Sequence, residues 1–290
     1  MKLAIITCHY NWFGFERPRD NLRRFIESTQ GLPIFGVEAQ LAGHPMQTTG
    51  LPGWQQIIAD NDQVMMQKEC LLNIAAASVP NHYEALAWVD ADILFDNKDW
   101  FEQTARALDA FPVVQPFAQA HWLARDGSVE QERPSIGKEP DLLYRCVAHP
   151  GFAMAARRAL WTQRRGGLYE HLVVGNGDVG FAAAALNSDQ PGHIVMNPAL
   201  KTHYDAWATP IKAWIKGRPM GFVQGAANHL WHGEMKDRRY LERNEVLIKT
   251  LDPSTHLTRA DNGLLTWTPA APFGLRYAIR SHFANRREDG

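Results

Sequence analysis

The residues of this chain best suited to chemistry are carboxylates and imidazoles placed beside apolar runs. Asp90 and Asp92 stand one residue apart in Trp88-Val89-Asp90-Ala91-Asp92-Ile93-Leu94-Phe95, directly after one apolar run and directly before another. Ionised carboxylates in such surroundings are costly unless something compensates them. A hard divalent cation, which takes carboxylate and phosphate oxygens together, is a natural compensator, and it would neutralise a departing diphosphate. Taken by itself the Asp-X-Asp pattern is short and common, and a turn capped by both aspartates has the same appearance.

A second carboxylate stands in Gly175-Asn176-Gly177-Asp178. The glycines permit close backbone approach to a ligand, and Asp178 could take a proton from a hydroxyl. The alternative is a turn in which Asp178 caps a helix starting at Val179. In His229-Leu230-Trp231-His232-Gly233 two histidines share a face if the segment is helical, and either offers a neutral imidazole nitrogen to a metal. With 12 histidines in the chain, a chance pair fits as well. Lys68, Lys216, Arg218, Arg238 and Arg239 are candidate pyrophosphate partners or simply solvated cations. Trp207, Trp214 and Trp231, among 10 tryptophans, are core residues or faces for stacking on sugar rings.

The elements that must position these groups follow a rhythm. Residues 3–7 form a short apolar run that suits a strand buried on both faces. Residues 21–28 have helical spacing, and 32–37 form a second strand ending at Glu38. Residues 41–52 read as a loop, and 63–77 as the clearest helix, with Pro80 after it. Residues 85–89 form a strand running into Asp90, 100–108 a helix and 112–117 a strand. Strand alternating with helix is the mark of a parallel α/β sheet, whose ligands bind beyond the carboxyl ends of the strands. Thr7, Cys8, Glu38, Asp90 and Asp92 stand at those ends, and that position favours the metal reading of the Asp-X-Asp. Residues 121–141 are polar and read as a long surface loop of the kind that serves as a lid.

The 290 residues suffice for a sizeable core. Neither repeats nor a linker interrupt them, so one domain is expected: 1–118 a nucleotide-binding half, 119–250 an acceptor and catalytic half, and 251–290 a C-terminal extension. The net charge of -1 gives no bulk electrostatic case for nucleic acid or anionic membrane. Cys8, Cys70 and Cys146 are too few and too scattered for a disulfide framework or a zinc cluster, and read as thiols in a reducing compartment. No apolar run reaches a membrane-spanning length, which points to a cytoplasmic protein. Basic and apolar residues mix over 273–287, which leaves two readings: a packing helix, or a segment resting on a membrane surface.

In this order, the residues resemble a GT-A glycosyltransferase, above all the family-2-like enzymes and the C-terminal part of the β-1,4-galactosyltransferase group, over residues 2–247. The resemblance implies a mostly parallel sheet flanked by helices, with an irregular C-terminal half. It makes Thr7 and Cys8 part of the loop that meets the nucleotide, and sets Glu38 against the base or ribose. Lys68 and Asn73 become nucleotide-holding residues ahead of the metal motif. Asp92 is matched to the direct metal ligand, with Asp90 nearer the ribose and also available to the ion. Gly151, in His149-Pro150-Gly151-Phe152-Ala153, falls in the donor-sugar segment. Gly177 and Asp178 fall in the motif that supplies the base of inverting members, although Val179 stands where many members have a further carboxylate. His232 is matched to the late histidine that completes the metal site, with His229 as its substitute.

The implied activity is an inverting transfer of a hexosyl or N-acetylhexosaminyl group from a UDP-sugar to a hydroxyl acceptor, glycan or lipid-linked, with Mn2+ or Mg2+ as cofactor. Two other readings stand beside it. A sugar-phosphate nucleotidyltransferase would carry a Gly- and Arg-rich loop after the first strand, where this chain has Cys8-His9-Tyr10-Asn11-Trp12. A non-catalytic sugar- or nucleotide-binding module would show donor binding that survives Asp178→Ala, and no turnover.

Overall fold

The structure is a computed structural model and describes residues 1–142, 147–188, 194, 196–234 and 250–290. Cys146, Arg238 and Arg239 lie outside the described residues.

Among the described residues thirteen strands form three sheets. The central sheet takes in β1 (Leu3–Tyr10), β2 (Ile34–Leu41), β3 (Trp54–Ala59), β4 (Ala85–Val89), β6 (Val113–Gln115), β9 (Ala153–Arg157) and β10 (Gly221–Phe222), in the order β10-β6-β9-β4-β1-β2-β3. Strands β3, β2, β1 and β4 run parallel; β9 is antiparallel to both β4 and β6. A second sheet has the order β5-β11-β7-β8, from β5 (Ile93–Phe95), β11 (Ala226–His229), β7 (Gln119–Leu123) and β8 (Val129–Pro134). Strands β12 (Leu257–Arg259) and β13 (Leu265–Trp267) pair antiparallel.

The helices among the described residues are α1 (Glu16–Ser28), α2 (Lys68–Ser78), α3 (Trp100–Ala107), α4 (Gly177–Ala185), α5 (Pro198–Ile215), α6 (Pro253–His256) and α7 (Phe273–Ala284). Alternation along β1 explains the layers, since successive side chains of a strand point to opposite faces. Ala4 and Ile6 join one buried cluster with Leu71 and Leu72 of α2 and Phe181 of α4. Leu3 and Ile5 join another with Phe25 of α1 and Trp100 of α3. Helices therefore cover both faces, which is why the strand is an unbroken apolar run.

Several expectations shift. Strand β2 continues through Glu38 to Leu41, so Glu38 lies within the strand and not at its end. Its side chain is fully buried and accepts hydrogen bonds from the Gln47 and Thr48 amides and from Thr48 Oγ1. The following loop gives way to β3, an edge strand absent from the sequence reading. Helix α2 begins at Lys68, after a 3-10 turn over Asn61–Gln63. Residues 121–141, expected as a loop and lid, are largely the β7–β8 hairpin, turning at Asp126 and Gly127. Helix α7 buries Leu275, Ile279 and Phe283 while Phe273 and Tyr277 stay exposed. Among the described residues no helix is long and apolar enough to cross a membrane.

Candidate active site

Strand β4, in the middle of the sheet, delivers Asp90 at its carboxyl end, and a tight turn, in which the Ile93 amide donates to the Asp90 carbonyl, leads into β5. Strand β5 pairs antiparallel with β11 so that Ile93 faces His229. The Leu230 amide donates to the Asp92 carbonyl at 2.9 Å. This pairing of segments distant in sequence is what brings the late histidines to the Asp-X-Asp. His229 ends a strand, so the two imidazoles do not share a helix face; they meet because the chain bends after β11. Nε2 of His232 lies 3.0 Å and Nε2 of His229 3.4 Å from Asp92 Oδ2. The two Nε2 atoms are 3.2 Å apart. The His229 ring stacks on Phe152 at 5.0 Å and 10°.

Three ligand atoms, one each from Asp92, His229 and His232, all lie within 4.8 Å of one another. Asp92 Oδ1 is buried without a hydrogen-bond partner among the described residues, a cost unless something occupies its lone pairs. Burial alone would raise the Asp92 carboxyl, but the two imidazoles outweigh it and hold it well below the usual range. An anionic carboxylate with two imidazole nitrogens is a donor set suited to Mn2+ or a similar ion. Asp90 belongs to a different contact: Lys68 Nζ lies 2.6 Å from its Oδ1. Burial raises Asp90 to about 6, against the pull of Lys68 and with the push of Asp92.

A cavity of about 540 Å³ opens over this cluster. Asp178 faces it from the first turn of α4, where its Oδ1 accepts from the Val179 amide at 2.9 Å. Asn176, with φ +71°, sets the left-handed bend that starts the helix. Gly151 leaves room for the carboxylate: a Cβ there would stand 2.3 Å from Asp178 Oδ2 and 3.0 Å from His149 Nε2. Burial pushes His149 down to about 3, so it is a neutral wall, and its ring meets Trp122 edge-on at 4.6 Å.

Of the residues expected at the site, Cys8, Lys68, Asp90, Asp92, Gly177, Asp178, His229 and His232 line this cavity. Thr7, Glu38 and Asn73 do not line it. Thr7 Oγ1 donates to the Val89 carbonyl and ties β1 to β4. Glu38 anchors the loop after β2 as described. Asn73 braces the segment after β9 through Leu168 and Glu170. Gly151 acts from behind Asp178 as a space-maker. Lys216 and Arg218 sit at the end of α5, outside the lining. Trp207 and Trp214 pack against the α5 side of the core, while Trp231 lies between Arg17 and Arg125; the tryptophan facing the cavity is Trp122.

The sequence reading missed Glu69, whose only signal was its place in the first turn of α2. It is 5% exposed and packs so closely on Gly177 that a Cβ there would stand 2.1 Å from Glu69 Oε1. Burial raises it to about 7, with Lys68 opposing and Asp178 adding to the rise. Also missed were Arg286 and Glu288, from the segment after α7.

The Asp-X-Asp thus follows β4, His229 ends β11 with His232 just beyond it, and Asp178 lines the same cavity. The architecture is the α/β one expected, a mostly parallel central sheet covered by helices on both faces. No protein-family model matches the chain, and no curated protein matches it in sequence. Solved structures similar in architecture include a mutant Drosophila β1,4-galactosyltransferase 7 in complex with manganese, UDP-Gal and xylobiose, at 12% identity and a TM-score of 0.33. That likeness covers 62% of this chain and 60% of the other. Mannosyl-3-phosphoglycerate synthase from Rubrobacter xylanophilus is similar at 10% identity over 92% of this chain and 83% of the other, with a TM-score of 0.46. Glucosyl-3-phosphoglycerate synthase from Mycobacterium tuberculosis, in complex with Mn2+, UDP-glucose and phosphoglyceric acid, is similar at 13% identity over 94% and 88%, with a TM-score of 0.43.

Proposed function

We propose that the chain works as one GT-A unit and is an inverting, metal-dependent glycosyltransferase that moves a sugar from a nucleotide-sugar donor, a UDP-sugar, to a hydroxyl acceptor. The observation that carries this reading is the meeting of Asp92, His229 and His232 around one point, with Asp178 across the same cavity.

Asp92, His229 and His232 would hold the divalent cation, Mn2+ or Mg2+. Bound there, it supplies positive charge to the diphosphate as that group departs. The protein supplies the rest. Lys68 is kept charged despite its burial, chiefly by Asp90 and then by Asp178 and Glu69, and places a cation at the cavity wall. Asp178 is the group that takes the acceptor proton, and attack from its side, opposite the departing diphosphate, is what makes the transfer inverting. Trp122 and Phe152 give the cavity an apolar wall suited to the face of a sugar ring. The neutral His149 adds no competing charge beside Asp178.

The test is direct. The purified protein is incubated with Mn2+, Mg2+ or a chelator and a panel of nucleotide sugars, and nucleoside diphosphate release is followed. Slow metal-dependent hydrolysis of one donor is expected. Absence of release from every donor under every metal condition would sink the enzyme reading. Pyrophosphate release from a nucleoside triphosphate with a sugar phosphate would instead favour a nucleotidyltransferase.

A further inference from the structure

The residues that follow α7 return to the imidazole cluster. Glu288 is 9% exposed. Its Oε1 lies 3.6 Å from Nδ1 of His232 and 2.9 Å from Nη2 of Arg286. Both Arg286 and Glu288 line the cavity.

The segment is fixed at several independent points. Asp289 Oδ1 accepts from the Arg17 amide at 2.8 Å, which ties it to the start of α1. Gly233, with φ +90°, lies so close beneath the segment that a Cβ there would stand 2.6 Å from the Arg287 carbonyl oxygen. Gly290 packs on the Trp231 ring, and the Trp231 carbonyl accepts from Asn21 Nδ2 at 3.1 Å. The turn that carries His232 is therefore clamped between α1 and the segment after α7. Its imidazole is addressed from both sides, by Asp92 at Nε2 and by Glu288 at Nδ1.

An imidazole that offers one nitrogen to a cation works best when its other nitrogen donates to a carboxylate, because that contact fixes the tautomer and the ring orientation. We propose that Glu288 is a positioning residue for the metal site: it holds the Nδ1 side of His232 so that Nε2 is presented toward Asp92 and His229, while Arg286 keeps the Glu288 carboxylate in place. The inference rests on the reading of Asp92, His229 and His232 as metal ligands. It makes the segment after α7 a working part of the site.

The experiment titrates the full chain with Mn2+ alone and follows the free ion by electron paramagnetic resonance, with melting of the metal-free proteins as the control. Glu288→Ala should weaken Mn2+ binding about 10–100-fold with a metal-free melting curve close to wild type. Glu288→Gln, whose amide oxygen can face Nδ1 at the same distance and accept from it as the site closes on the ion, should recover most of the affinity. Should the alanine variant fail to fold, Glu288→Asp decides: withdrawal of the carboxylate from Nδ1 should weaken binding in a folded protein. Wild-type affinity in the Ala or Asp variant overturns the positioning role alone, provided Asp92→Ala abolishes binding. A wild-type chain that takes up no Mn2+ overturns both this inference and the metal reading beneath it.

Discussion

His232 Nε2 lies 3.0 Å from Asp92 Oδ2, although one residue follows β4 and the other follows β11. Two imidazoles converge on one part-buried carboxylate, whose second oxygen has no partner among the described residues, and this is the cation site proposed above. Asp92→Asn keeps the shape and removes the anion. Mn2+ at about 100 times its dissociation constant should stabilise the wild type by about 2.7 kcal/mol and leave the variant unmoved in a thermal-shift measurement. An equal Mn2+ response in both proteins would place the ion elsewhere.

On the proposed mechanism, Asp178 separates catalysis from binding. Asp178→Asn retains an oxygen to accept from the Val179 amide, so α4 should start as before. The variant loses the ability to take a proton. Its kcat should fall about 10²–10⁴-fold, with donor affinity, measured by calorimetry, within a few-fold of wild type. Turnover at the wild-type rate would assign the base to another group, and Glu69 would be the first to examine.

The sequence carried the scaffold further than the site. Strands β1 and β4 were legible because burial on both faces leaves an uninterrupted apolar run. Strand β2 was truncated at Glu38 because its buried polar residues, Glu38 and Gln40, break that signal; the Glu38 carboxylate is tolerated because Gln40 and the loop donate to it. The β7–β8 hairpin was hidden by a largely exposed, charged β8. The meeting of Asp92 with His229 depends on the register of β5 against β11, a non-local pairing that no spacing encodes. Glu69 was passed over because an acid in the first turn of a helix is ordinary, being favoured by the helix dipole. Only its contact with Gly177 marks it out.

Gly151 tests whether space matters behind the base. An alanine Cβ would stand 2.3 Å from Asp178 Oδ2 and 3.0 Å from His149 Nε2, so one of those side chains must move. The backbone of Gly151 needs no left-handed conformation, and the chain should still fold. A displacement of about 1 Å at a reacting group costs on the order of 100-fold in rate. Gly151→Ala should therefore lose about that factor in kcat, while circular dichroism stays unchanged. A fully active variant would show that Asp178 is not held by this contact.

Glu69 supplies a pH signature. Its carboxyl is raised from 4.5 to about 7, first by burial, with Lys68 opposing and Asp178 adding to the rise. Between these values the folded state keeps a proton that the unfolded state has released, so this group makes stability fall as pH rises. The contribution is full below about pH 4.5 and lost as pH passes through 7. Glu69→Gln is neutral throughout and escapes the penalty. At about 1.4 kcal/mol per pKa unit, the variant should gain roughly 3 kcal/mol on the wild type between pH 4 and pH 8. Two histidines pushed down by desolvation, His149 to about 3 and His171 to about 4, push the other way: they favour the fold as pH rises toward their ordinary value. They are common to both proteins and cancel in the difference. Urea unfolding of the two metal-free proteins across that range measures it, and parallel stability curves would show that Glu69 ionises as freely in the folded chain as in the unfolded one.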